Sequence, residues 1–158
     1  MSAPAGCTVA YFVAQSFRGA VHKEYTELFP INYENCPTVI EEKYYLSELP
    51  EGYEILDSSS TPFLEDTIYE NPQTGHAITF CQWVKSEFDS IHFNTENNEF
   101  VEVEINGHYG LYLETLNDGQ QFSGIIWDNG DHILEIAGNL AKNDIMKLTK
   151  SAKVQKNK

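Results

Sequence analysis

The chain has 158 residues, 41% of them hydrophobic and 13% aromatic, which is enough to bury a core and too apolar for a disordered polymer. Its 24 acidic and 10 basic residues leave a formal charge of −14, which argues against a general nucleic-acid or anionic-membrane binder, since both need a positive field. No stretch reaches the roughly 20 apolar residues of a membrane span.

At the start, Pro4-Ala5-Gly6-Cys7 is similar to the end of a bacterial lipoprotein signal, where a cysteine follows small residues. The charged start and apolar stretch of such a signal are missing, so the expectation is a membrane tether lost from the N-terminus. From Val9 to Leu28 a long helix is predicted. Val9, Val13, Phe17, Ala20, Glu24 and Leu28 fall on one helical stripe, with Phe12, Val21 and Tyr25 beside it. Val9 to Ala14 is apolar all round, which suits a helix packed in a core or one leaving a membrane. Gly19 weakens the middle by about 1 kcal/mol relative to alanine, and Pro30 closes the region. Residues 1–30 are read as this helix with a membrane-proximal segment, and residues 31–158 as the remainder of a single domain.

After the turn-like link Tyr33 to Pro37, the chain reads as β structure for about a hundred residues. Turn signals recur at Pro50-Glu51-Gly52, Asn71-Pro72-Gln73-Thr74-Gly75, Asn106-Gly107, Asp118-Gly119 and Asn129-Gly130. The strands between them are rich in Ile, Val, Phe, Tyr and Trp, and short turns make consecutive strands antiparallel. A two-residue Asn129-Gly130 loop would set Trp127 against His132, Ile126 against Ile133 and Ile125 against Leu134. The same loop at Asn106-Gly107 would set Glu102 against Leu111 and Glu104 against Tyr109. The apolar pattern instead favours a three-residue loop or bulge there, pairing Val103 with Leu111 and Val101 with Leu113. A closing helix is predicted over Lys142 to Lys153, with Ile145, Leu148, Thr149 and Ala152 inward, and Val154 to Lys158 frayed. The fold class is therefore α+β: a curved antiparallel meander of six to eight strands, with an N-terminal and a C-terminal helix packed on it.

Charge is unevenly distributed. Glu51 to Ile136 holds seventeen acidic residues and one basic residue, Lys85, whereas the chain from Ala137 onward holds six lysines and one acid, Asp144. A solvated surface explains most such runs, and an acidic face for a basic partner is the functional alternative.

Three segments resemble a known family. They are Tyr44-Tyr45-Leu46-Ser47-Glu48-Leu49-Pro50-Glu51-Gly52-Tyr53-Glu54-Ile55, the strand Ile78-Thr79-Phe80-Cys81-Gln82, and Ile125-Ile126-Trp127-Asp128 followed by His132-Ile133-Leu134-Glu135-Ile136-Ala137-Gly138-Asn139-Leu140. In this order they are similar to the DUF4367 domains. That resemblance implies an extracytoplasmic position on single-pass membrane proteins of Gram-positive bacteria, some of them described as anti-sigma factors. It supplies no catalytic residues. One departure is Ala141, which stands where a serine-type helix cap is expected.

Candidate chemistry is sparse. No histidine pair has metal-ligand spacing, but His108, His132 and Asp131 all lie near hairpin turns and could meet at one sheet end as a metal site. Surface turn histidines are the commoner explanation. Glu102 and Glu104 share a strand face, a pattern of paired carboxylates and also of ordinary solvent-facing strands. Asp57-Ser58-Ser59-Ser60 offers hydroxyls without a marked base, and no nucleophile elbow is present. Trp83, Tyr109, Tyr112 and Trp127 could line a ligand groove, although strand aromatics are more often core. Cys7, Cys36 and Cys81 cannot all pair within one chain; a Cys36–Cys81 disulfide and a buried free Cys81 both remain open.

These observations lead to the expectation of a non-catalytic extracytoplasmic sensing or protein-interaction domain, membrane-tethered and without a cofactor. The alternative is a carrier that holds a small apolar molecule or lipid between sheet and helix. The expected partner is accordingly a protein or a small apolar ligand, not a nucleic acid.

Overall fold

The structure is a computed structural model that describes residues 25–29, 31–88, 91–94, 99–117 and 119–155. Its elements are, in chain order, β1 (Tyr25–Phe29), β2 (Tyr44–Leu46), β3 (Glu54–Ser60), β4 (Leu64–Glu70), β5 (Ala77–Val84), a 3-10 turn (Lys85–Glu87), β6 (Ile91–Asn94), β7 (Glu99–Ile105), β8 (His108–Asn117), β9 (Gln120–Asp128), β10 (His132–Gly138), α1 (Lys142–Lys150) and β11 (Ala152–Val154).

Most of the predicted helix from Val9 lies outside the described residues. Its last residues do not: Tyr25 to Leu28 belong to β1, which pairs antiparallel with β6. Tyr, Thr and Phe favour extended backbone, and a partner strand some sixty residues later supplies the hydrogen bonds that local periodicity cannot reveal.

Seven strands form one antiparallel sheet in the order β3-β4-β5-β10-β9-β8-β7. The predicted meander is thus broken once. β3 to β5 form one run and β7 to β10 another, and they join where β5 pairs with β10. Both faces of the sheet are covered. On one face Leu46 of β2 and Ile145 and Leu148 of α1 pack over Ile78, Phe80, Ile125, Trp127, Leu134 and Ile136. On the other, Phe88 packs with Leu111, Leu113, Phe122, Ile126 and Ile133. The six positions of β10 from Ile133 are all buried, as a doubly covered strand requires.

The two hairpin registers differ from expectation in opposite ways. Asn106 and Gly107 adopt φ values of 50° and 84° and make a plain two-residue turn, with Ile105 opposite His108. Val103 therefore faces Gly110, and Glu102 and Glu104 face Leu111 and Tyr109 without a bulge. The left-handed preference of Asn-Gly sets this register, overriding the apolar pattern of a strand at the sheet edge. In the other hairpin the corner moves on by one residue, to Gly130 and Asp131. Gly130 has φ 102°, Asn129 N–H donates to the His132 carbonyl at 3.1 Å, and Trp127 stands opposite Leu134. Asn129 Oδ1 accepts from the backbone of Asp131 and His132, and Asp128 Oδ1 from Gly130, which fixes the shifted corner. Moving the corner by one residue shifts the pairing by two, so every side chain keeps its predicted face.

α1 ends at Lys150, three residues before the predicted end. Ser151 closes it by donating its hydroxyl to the Leu148 carbonyl at 2.6 Å, and Ala152 to Val154, expected as helix end and frayed tail, pair with β2 instead. Ile145, Leu148 and Thr149 are the buried stripe. At the other end Ala141 offers no side-chain cap. Ala141→Ser should therefore raise unfolding free energy by about 1 kcal/mol in urea titration, and no gain would mean that the first-turn amides already have partners.

Gly138 ends β10 against the start of β5. A Cβ there would stand 2.6 Å from the Ala77 carbonyl oxygen, a backbone atom that cannot rotate aside. Gly138→Ala is expected to cost about 1–3 kcal/mol, read as a lower urea midpoint at unchanged slope.

Candidate functional site

The most elaborated polar site lies where the β2–β11 ribbon crosses the helix-side face of the sheet. Leu46, Tyr45 and Tyr44 pair with Ala152, Lys153 and Val154. Backbone bonds from Ser47 N–H to Ser151 O (3.1 Å) and from Gln155 N–H to Lys43 O (2.6 Å) extend the ladder. Antiparallel bonding alternates, so the Tyr44 N–H and the Glu42 carbonyl point away from β11. Both meet Gln82, whose Oε1 accepts from Tyr44 N–H at 3.1 Å and whose Nε2 donates to Glu42 O at 2.9 Å. One side-chain amide thus takes the place of a neighbouring strand's peptide group. Gln82 is 1% exposed. The signal available in the sequence was a single amide inside the otherwise apolar end of β5.

His132 stands at the start of β10, opposite Val84 and 3% exposed. Its ring meets Tyr44 edge-on, with centroids 6.2 Å apart at 70°. Neither ring nitrogen has a hydrogen-bond partner among the described residues. Burial pushes the imidazole pKa below its ordinary value; the Asp131 and Glu42 carboxylates act against that shift, and Lys85 adds to it. Burial also raises the Tyr44 phenol, with Asp131 the next contributor.

Two open grooves adjoin the ribbon. One, with a volume of ≈ 740 Å³, is lined by Tyr44, Tyr45, Ala152, Lys153, Val154 and Gln155. The other lies over Tyr69 and Phe80, with Ile55 and Lys43 among its lining residues. Lys43 Nζ sits 3.2 Å from Glu65 Oε1 and 3.4 Å from Ser60 Oγ, and the Ser60 hydroxyl donates to Glu65.

At the same end of the sheet Lys85, the single basic residue of the acidic stretch, is buried. Its Nζ bonds Asp128 Oδ1 at 2.8 Å and the Asn32 carbonyl at 2.7 Å. This pair fastens the linker before β2 to the strands, a role that its charge pattern alone did not suggest.

The predicted aromatic groove residues are divided between the two faces. Tyr112 and Trp127 are buried in the helix-side core, whereas Trp83 packs on Phe88 across the sheet (centroids 5.2 Å apart) and Tyr109 is exposed on that same side. His108 lies beside the Gly130 corner and His132 is buried. Among the described residues no group of three or more His, Cys, Asp or Glu side chains is placed to hold a metal. Glu102 and Glu104 are exposed on edge strand β7. Cys36 and Cys81 are free thiols: Cys36 Sγ donates to the Tyr33 carbonyl and Cys81 Sγ to Asp66 Oδ1 at 3.3 Å.

A seven-stranded antiparallel sheet closed by a C-terminal helix makes this an α+β domain. The chain belongs to the family described as a domain of unknown function, DUF4367, which matches residues 43–151. That span runs from the edge of β2 to the cap of α1 and includes Gln82 and His132. No curated protein and no solved structure matches the chain.

Replacing Gln82 with Leu keeps the bulk and strands the Tyr44 N–H and the Glu42 carbonyl. The expected cost is about 1–3 kcal/mol, with faster amide exchange confined to residues 42–46 and 152–155. Unchanged ribbon exchange would show that packing alone seats it.

Proposed function

We propose that this is a non-catalytic, extracytoplasmic interaction domain of a membrane-tethered bacterial protein, which takes up an extended polypeptide segment beside the β2–β11 ribbon. One observation carries the reading. Ladder alternation turns the backbone groups of Ala152 and Val154 outward, and among the described residues no strand pairs with that edge. The adjoining groove, lined by Tyr44, Tyr45 and Val154, offers apolar and aromatic contact next to those groups. Strand addition uses this combination, with backbone bonds for affinity and side-chain pockets for choice. The tether and the extracytoplasmic position rest on the family resemblance.

The carrier alternative calls for an apolar cavity between sheet and helix. That layer is filled by Ile125, Ile136, Ile145 and Leu148, each at most 1% exposed, which favours the interaction reading.

The test places a photo-crosslinking amino acid at Tyr45 of the full chain, exposed to cell-envelope fractions, with Val154→Pro as the control. Proline removes the outward N–H and leaves the bonds to β2 untouched. The expected result is crosslinking to a defined polypeptide segment that falls at least about tenfold with Val154→Pro at unchanged Tm. Crosslinks indifferent to Val154→Pro, or adducts of small molecules alone, would overturn the reading.

A further inference from the structure

We propose that His132 is a pH-sensitive latch: its neutral imidazole seats the β2–β11 ribbon on the sheet, and its protonation releases the ribbon. The proposal concerns the seating of the ribbon and does not depend on what occupies the groove beside it.

The geometry supports a neutral ring only. His132 is 3% exposed, and both ring nitrogens lack hydrogen-bond partners among the described residues. A neutral imidazole in that position forgoes two hydrogen bonds. An imidazolium carries a charge and two N–H donors with nothing to receive them, a much larger desolvation cost. The charged and titratable groups around it come from each neighbouring element. Tyr44 and Glu42 belong to β2 and its approach, Asp131 to the β9–β10 corner, and Lys85 follows β5 with its partner Asp128 on β9. Glu42 and Asp131 attract a protonated ring, while Lys85 repels it. A ring that moves to pair with either carboxylate changes its edge-on contact with Tyr44.

Tyr44 is also the residue whose N–H is held by Gln82. Ring displacement therefore bears on the clamp: the Gln82 amide bonds the ribbon's backbone to the sheet, whereas the ladder between β2 and β11 holds the ribbon's two strands to each other. The seven-stranded sheet has its own ladders on both sides of β5 and β10 and does not depend on them. The consequence is local: the ribbon loosens and the sheet stays.

The sign follows from linkage. Burial holds the folded-state pKa of His132 below its unfolded value of about 6.5, so the unfolded or released state binds more protons as pH falls. The stabilisation is complete above about pH 6.5 and is lost as pH drops through the folded-state pKa.

The test uses the full chain. Amide hydrogen exchange, corrected for its intrinsic pH dependence, is followed from about pH 7.5 to about pH 5, together with an NMR titration of the His132 ring. The expected result is an imidazole that titrates below about 6.5, with protection at residues 42–46 and 152–155 falling at least about tenfold through that transition. Protection in 123–127 and 133–137 holds. His132→Phe removes the pH dependence, and where that variant does not fold, the wild-type titration and exchange decide alone. A ring that titrates at or above about 6.5, ribbon protection indifferent to pH, or an equal loss across the whole sheet would each overturn the latch.

Discussion

The structure depends on the pairing of β5 with β10. Seven residue pairs, from His132 opposite Val84 to Gly138 opposite Ile78, fuse two separate antiparallel runs into one sheet. This pairing makes β10 and β5 central strands, so both faces of each must be covered. One face is covered by α1 and the ribbon, the other by Phe88 and its neighbours. It also brings the ends of the two strands together. Gly138 meets the Ala77 carbonyl at one end, while His132, Gln82 and Lys85 gather at the other. A glycine is needed where backbone approaches backbone this closely, which gives a physical reason for the glycine that closes β10.

Polar groups inside such a strand pair have to be hydrogen-bonded or leave free energy unrealised, about 1–3 kcal/mol for each unpartnered group. The molecule treats them differently. Gln82 has both ends of its amide satisfied by the backbone of the segment entering β2. Lys85 has a carboxylate and a carbonyl. A pair of this kind contributes little net stability compared with apolar side chains, but it permits few other placements of the linker. His132 is left with neither nitrogen bonded, so an amide bonded at both ends and a titratable ring meet the Glu42–Tyr44 segment, while the paired cation ties Asn32 to β9.

The acidic character of the chain has a topological counterpart. The two edge strands of the main sheet, β3 and β7, carry Glu54 and Asp57 on one and Glu102 and Glu104 on the other, all exposed. Like charges along open edges oppose edge-to-edge pairing between copies of the sheet. β3 adds a break in register between Ile55 and Asp57, which further spoils it as a template. The ribbon differs: the exposed residue of β11 is Lys153, and its partner Tyr45 is 41% exposed.

Sequence by itself determined the β-rich character, the antiparallel sense, the closing helix with Ile145 and Leu148 inward, and the faces of the β9–β10 hairpin. Those features follow from short-range terms: turn residues with defined φ preferences, periodicity, and propensity. It also carried the family, through motifs whose order survives in the fold. The registers were legible only in part. At Asn106-Gly107 two local signals disagreed, and the turn prevailed because on an edge strand Glu102 and Glu104 reach solvent even from the face they share with Leu111 and Tyr109. Tertiary structure decided the rest. That Tyr25 to Phe29 is extended, that Ala152 to Val154 leaves the helix for a strand, and that β5 neighbours β10 all depend on partners distant in the chain. The same holds for the site. Gln82, Tyr44 and His132 are scattered through the sequence, and no spacing rule relates a side-chain amide to a backbone forty residues away. Only the packed sheet brings them together, because hydrogen bonds and burial act between surfaces, which sequence spacing does not record.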